Sequence, residues 1–174
     1  MRLFVAINFG VGTIKQLAVL RDELRGSSGS GSFTLTENLH LTLAFIGECG
    51  EKQAASVKSV LEAIHFEPFE ISIDRVGCFK RDGGDIWWAG LGENKPLLKL
   101  QLELSDGLIA AGFDIDKRAY NPHITIGRKV STSMKPRSIN PIKEHVSCVN
   151  LMKSERIKGK LTYTPIFTLN SSDV

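Results

Sequence analysis

The spacing of apolar residues along the chain switches repeatedly between the period of a strand and that of a helix. Leu3 to Ile7 is short, apolar and β-prone, and reads as a buried strand. From Thr13 to Arg25, Ile14, Leu17, Ala18 and Leu24 recur at helical spacing with charges on the other face. Gly26 to Ser32, all glycine and serine, reads as a loop, a tolerated surface insertion rather than a flap. A strand follows from Asn38 to Ile46, closed by Gly47, and Val57, Val60, Leu61 and Ile64 then mark an amphipathic helix that stops before Pro68. Phe69, Ile71 and Ile73 alternate with polar residues; a loop from Lys80 to Asp85 joins that strand to a second one, Ile86 to Leu91, as a long-loop hairpin. Asn94 is placed to cap a helix running to Ala111, with Leu97, Leu100, Leu104 and Leu108 on its apolar face and Gly112 at its end. A strand over His123 to Arg128, a turn-rich stretch from Ser131 to Pro141 with room for a short helix, and strands near His145–Met152 and Leu161–Leu169 complete the pattern. Strands and helices mixed in this order, with hairpin-like pairs, predict an α+β fold.

The length of 174 residues suits one domain large enough to bury a core without disulfides or a structural metal. A net charge of +3 tolerates a polyanionic partner without announcing one, so charge decides little. Cys49, Cys78 and Cys148 are odd in number and widely spaced, which fits neither a disulfide framework nor a zinc site and points to reduced thiols. The opening apolar run is too short for a signal peptide, and no stretch has the length of a membrane span, so a soluble cytoplasmic protein is expected.

One pattern occurs twice. Asn38-Leu39-His40-Leu41-Thr42-Leu43 is echoed by Asn121-Pro122-His123-Ile124-Thr125-Ile126, each on an expected strand and each followed by a glycine, Gly47 or Gly127, expected to end that strand. Side chains at i and i+2 of a strand share a face, so each histidine points the same way as its threonine while the aliphatic residues point into the core. Two such strands side by side line a polar cleft with two imidazoles and two hydroxyls. Near neutral pH one imidazole can accept a proton and the other donate one, and hydroxyls can hold non-bridging phosphate oxygens, a division of labour suited to displacement at phosphorus. Zinc is the rival chemistry, but neither copy carries a Cys, Asp or Glu suited to be a third ligand, so no metal and no cofactor is expected. His65 and His145 share no motif and read as surface residues.

With these flanks, including Met1-Arg2-Leu3-Phe4-Val5-Ala6-Ile7, Ala44-Phe45-Ile46-Gly47 and Gly159-Lys160-Leu161-Thr162-Tyr163, the chain resembles the 2H phosphoesterases. Within them it is similar to the RNA 2′,3′-cyclic phosphodiesterases, historically also called 2′-5′ RNA ligases. The resemblance implies a bilobal fold with two antiparallel-rich sheets, pseudo-twofold symmetry about a central cleft and helices outside. It implies hydrolysis of RNA 2′,3′-cyclic phosphate ends to 2′-phosphates, on tRNA fragments or short oligonucleotides. It assigns His40 as proton donor to the leaving oxygen, His123 as proton acceptor from water, and Thr42 and Thr125 as phosphate ligands. The direction of proton transfer comes from the resemblance alone, since the two motifs are nearly symmetric. The Gly/Ser run before the first motif is a departure from the family pattern.

Arg128 lies five residues after His123, where strict alternation faces it away from the cleft; a bulge at Gly127 would turn it in as a phosphate ligand, and otherwise it is a surface residue at the strand end. Lys117 and Arg118 precede the second motif and read as solvated charges, with added positive potential at the site as the alternative. Trp87 and Trp88 face opposite ways, one toward the core and the other free to stack on a base, a part that Tyr120 or Phe9 can also fill. Lys80 and Arg81 sit in the hairpin loop. A monomer is expected, and the rival functions are ligation or cleavage of another cyclic or 2′-5′ phosphodiester at the same site, or non-catalytic binding of RNA ends.

Overall fold

A computed structural model describes residues 1–172. Among them are nine strands and three α-helices: β1 (Arg2–Asn8), α1 (Val11–Gly26), β2 (Ser28–Phe33), β3 (His40–Glu48), α2 (Glu51–Glu62), β4 (Phe69–Phe79), β5 (Asp85–Leu91), α3 (Lys95–Ala110), β6 (His123–Thr132), β7 (Arg137–Val146), β8 (Cys148–Ile157) and β9 (Lys160–Asn170). The strands form two antiparallel sheets. The four-stranded sheet has the order β3-β1-β8-β9 and the five-stranded sheet the order β2-β6-β5-β4-β7. This is the expected α+β architecture of two antiparallel sheets.

The helices form where the apolar spacing expects them. Asn94 caps α3 by accepting the Leu97 backbone N–H at 3.0 Å, and Gly112 ends it with φ +92°, a conformation that glycine adopts without cost. In α1 the buried line runs through Thr13, Leu17, Arg21 and Leu24. The core lies on one face of each sheet, where Val5 and Ile7 of β1, Leu41 of β3, Ile71 and Ile73 of β4, and Ile124 and Ile126 of β6 are at most 1% exposed. Each such side chain contributes about 1.5–3 kcal/mol of burial. Alternate residues of β1 look the other way, where Phe4 and Ala6 join Met152 and Tyr163 in a second, smaller apolar cluster.

Four expectations are corrected. The Gly/Ser run is not a loop: Ser28–Phe33 is an edge strand paired with β6. A sequence with almost no apolar side chains holds this conformation because β6 supplies its hydrogen bonds and Phe33 anchors its end; Gly127 leaves room for that ring, since a Cβ there would lie 3.3 Å from it. The stretch from Ser131 to Pro141 holds no helix but the start of β7, another edge strand, and Pro141 falls where the register jumps from Ser138 to Ile142, so its missing N–H costs no ladder bond. The expected strand over His145–Met152 is divided at Ser147, where the chain leaves one sheet for the other. Gly47 does sit near the end of β3, but Gly127 is internal to β6, which continues to Thr132.

Candidate active site

The two motif strands do not pair. β3 is the outer strand of one sheet and β6 an inner strand of the other, and they approach across the space between the sheets. Alternation holds in both copies. Leu41, Leu43, Ile124 and Ile126 are buried, while His40, Thr42, His123 and Thr125 are half-buried on the opposite faces.

Each strand then breaks its alternation at the same place. In β3, Val5 pairs with Ala44 and Ala6 with Thr42, leaving Leu43 extra. In β6, Trp87 pairs with Gly127 and Trp88 with Thr125, leaving Ile126 extra. These are β-bulges, and each turns two consecutive residues into the core: Leu43 and Ala44 in one copy, Ile126 and Gly127 in the other. Beyond each bulge the parity of the strand is reversed. Phe45 and Arg128, each five residues beyond its histidine, return to the histidine's face. Phe45 is 64% exposed, its ring 6.2 Å from Phe4, and the Arg128 charge reaches both His40 and Tyr163.

The histidines are held alike. Nδ1 of His40 lies 2.7 Å from the Asn38 carbonyl oxygen, and Nδ1 of His123 lies 2.8 Å from that of Asn121. A carbonyl only accepts, so each Nδ1 carries the proton and each Nε2 is left for chemistry. The shared asparagine therefore acts through its backbone; the Asn38 side chain separately donates to the Leu161 carbonyl at 2.9 Å and ties the motif to β9. Nε2 of His40 is 2.8 Å from the Thr42 hydroxyl. Phe4 and Tyr163 wall His40 at ring distances of 5.0 and 5.3 Å, and Phe79 stands edge-on to His123 at 5.2 Å. Burial lowers the His40 pKa, the bond to Asn38 opposes that, and the positive charges of Arg128 and His123 lower it further.

Several supports were not legible in the sequence. Tyr120 donates its hydroxyl to the Thr42 carbonyl at 2.7 Å, lacing the segment before the second motif to the first motif strand; burial raises its pKa. Arg21, an apparently exposed helix residue, is buried and donates to the Thr34 carbonyl at 2.8 Å and the Thr36 hydroxyl at 2.9 Å. Thr34 in turn donates its hydroxyl to the Thr125 carbonyl at 2.9 Å, so the approach to the first motif is fastened to the second.

The remaining candidates separate cleanly. Trp87 is core at 1% exposure. Trp88 faces the cleft side as the register partner of Thr125, its indole lying over Gly77 and Gly90, where any Cβ would strike it within 2.6 Å. Phe9 lines a cavity with Tyr163 and Met152. Arg118 is held by Asp116 at 2.6 Å, whose own pKa it pulls to about 2. Lys117 is exposed. Lys80 pairs with Asp85 at 2.8 Å, and Arg81 lies over the Phe79 ring. No cysteine of the three is bonded to another. Among the described residues no group of three or more His, Cys, Asp or Glu side chains is arranged to hold a metal ion, and no helix is long and apolar enough to cross a membrane.

Comparison with known proteins places this geometry. The family model described as the 2′-5′ RNA ligase superfamily matches residues 14–151. The chain belongs to that superfamily. Among superfamily relatives, the RNA 2′,3′-cyclic phosphodiesterase of Archaeoglobus fulgidus is 36% identical over 129 residues, covering 74% of this chain and 72% of the relative. The protein of the same name from Methanothermobacter thermautotrophicus is 29% identical over 94% of this chain and 95% of its own. The crystal structure of Escherichia coli LigT complexed with 3′-AMP superposes with a TM-score of 0.86 at 25% identity, covering 99% of this chain and 98% of that one.

Proposed function

We propose that the protein is an RNA 2′,3′-cyclic phosphodiesterase that opens the cyclic phosphate to a 2′-phosphate end by two-histidine acid–base catalysis without a metal. The observation that carries the reading is the matched pair of strands: in each, a backbone carbonyl fixes the proton on Nδ1, and the histidine shares its strand face with the motif threonine. Superfamily relatives named for this activity support the choice of substrate.

In this mechanism His123 takes a proton from water as the water attacks phosphorus. His40 gives a proton to the 3′-oxygen as it leaves. Thr42 and Thr125 donate hydrogen bonds to the non-bridging oxygens, and Arg128 offsets their charge. The reading also accommodates the lowered His40 pKa. Burial and the Arg128 charge disfavour the protonated His40 ring in the free site; an anionic phosphate beside it opposes that field and favours the protonated acid. We assign the protein to RNA ends as a monomer.

The test is turnover of an oligonucleotide ending in a 2′,3′-cyclic phosphate, in excess EDTA, with product analysis. Wild type should yield a 2′-phosphate, and His40→Ala and His123→Ala should each lose at least about 100-fold, the low end for removing a general acid or base. Loss of wild-type activity on EDTA alone would rule out the metal-free mechanism. Binding without turnover would make the protein a reader of RNA ends.

A further inference from the structure

The arginine side chains divide sharply. Arg21, Arg25, Arg75, Arg118 and Arg137 each hold a carboxylate, and Arg81 and Arg156 donate to backbone carbonyls. Only Arg2 and Arg128 have no hydrogen-bond or ion-pair partner among the described residues. Both act on one ring: burial raises the Tyr163 pKa, and the charges of Arg128 and then Arg2 oppose it.

Strand geometry puts Arg2 on the cleft side. The pairing of β1 with β8 runs without a break, Arg2 opposite Ser154, Phe4 opposite Met152 and Ala6 opposite Asn150. Arg2 therefore shares a face with Phe4 and Ala6, whose cluster with Met152 and Tyr163 floors this side of the cleft. Glu48 is the register partner of Arg2 across β1 and β3, yet its carboxylate lies 3.5 Å from the Met1 amine instead. Between Arg2 and His40 stand Phe4 and the exposed ring of Phe45. An exposed arginine beyond aromatic rings is the arrangement that tracks a single-stranded backbone.

We propose that Arg2 forms a second anion subsite, which holds the phosphodiester on the 5′ side of the terminal nucleotide and so selects the end of an RNA chain over a free nucleoside cyclic phosphate. The inference rests on the function proposed above and on His40 as the acid. The oxygen that His40 protonates belongs to the terminal ribose. That ribose, and the chain attached to it, must then lie on the His40 side of the reacting phosphorus, over the sheet that carries Arg2. Water enters from the His123 side.

The experiment compares a nucleoside 2′,3′-cyclic monophosphate with a dinucleotide bearing the same cyclic end, for wild type, Arg2→Gln and Arg2→Lys. Arg2→Gln should raise KM for the dinucleotide about five- to twentyfold, with kcat little changed, and shift mononucleotide turnover less than about twofold. Arg2→Lys should recover part of the loss. A dinucleotide whose internal linkage is an uncharged methylphosphonate should raise the wild-type KM similarly and show no further loss with Arg2→Gln. If wild type hydrolyses both substrates and Arg2→Gln leaves the dinucleotide KM unchanged, the subsite is wrong and the function stands. If the loss appears in Arg137→Gln, beside the cavity lined by Trp88 and Arg75 on the other sheet, the chain runs the opposite way and the subsite is again wrong. If wild type turns over neither substrate, the function fails and the subsite falls with it.

Discussion

The strand that carries His40 and the strand that carries His123 are the same device with different surroundings. Both hold Nδ1 on an asparagine carbonyl, both bulge directly after the threonine, and both send two residues into the core before returning one to the cleft. The returned residue is Phe45 in one and Arg128 in the other. His40 is enclosed by Phe4 and Tyr163 and bonded to Thr42, whereas His123 has Phe79 at its edge. Duplicated backbone geometry thus sets where the two imidazoles sit, and single positions outside the motif set what surrounds each one. A near-symmetric motif can carry unlike acid and base because its neighbours are unlike.

That comparison breaks most visibly at Arg128. Arg128→Gln should lower kcat/KM for a cyclic-phosphate oligonucleotide by about tenfold to a hundredfold, through lost charge on the phosphate oxygens. It should also move the pH profile. With His40 as the proposed acid, activity falls as pH rises through its pKa, which burial, Arg128 and His123 all lower. Removing the Arg128 charge raises it, and the alkaline limb should shift to higher pH. An unchanged limb would mean that Arg128 does not govern His40.

Tyr120→Phe should come next. It removes the hydrogen bond that crosses from one motif to the other while leaving the ring, at a cost of about 1–1.5 kcal/mol in unfolding free energy, together with a drop in kcat larger than any change in KM. Phe79→Leu, which touches only the His123 side, gives the comparison value for a wall without a lacing bond.

The two bulges differ in tolerance. Gly127→Ala would place a Cβ 2.9 Å from a Val130 methyl and 3.2 Å from Leu24, and should destabilise by about 1–3 kcal/mol in chemical denaturation. Its counterpart, Ala44, already carries a Cβ at 6% exposure, so Ala44→Gly should cost about 1 kcal/mol or less. The smallest effect is expected at Arg118, whose guanidinium is spent on Asp116; Arg118→Ala should leave kcat/KM within about twofold.

Legibility in the sequence depends on where the stabilising interactions lie. Helices and strands with one apolar face carry their burial in their own periodicity, so α3 with its Asn94 cap and the His-x-Thr faces were readable. The two edge strands of the five-stranded sheet were not. β2 and β7 are strands because β6 and β4 give them hydrogen bonds, and neither Ser28–Phe33 nor a segment holding Pro141 announces that from within. The same holds for the site. His40, Thr42, His123 and Thr125 stand in a repeated pattern, whereas Tyr120 and Arg21 matter through partners distant in sequence, and nothing local distinguishes them from ordinary residues. Arg128 was half legible: the glycine before it allowed a bulge, and only the register of β5 on β6 fixed it.

The order of strands also sets a schedule for synthesis. The five-stranded sheet draws on residues 28–146, but the sheet that carries His40 is centred on β1, whose second partner is β8 and whose outer neighbour is β9. A nascent chain emerging from the ribosome can therefore assemble the His123 half while the His40 half still lacks its middle pairing. The two histidines can face each other across a finished cleft only after residues 148–170 have been made, so the proposed phosphodiesterase centre is assembled when translation of the fold is nearly complete.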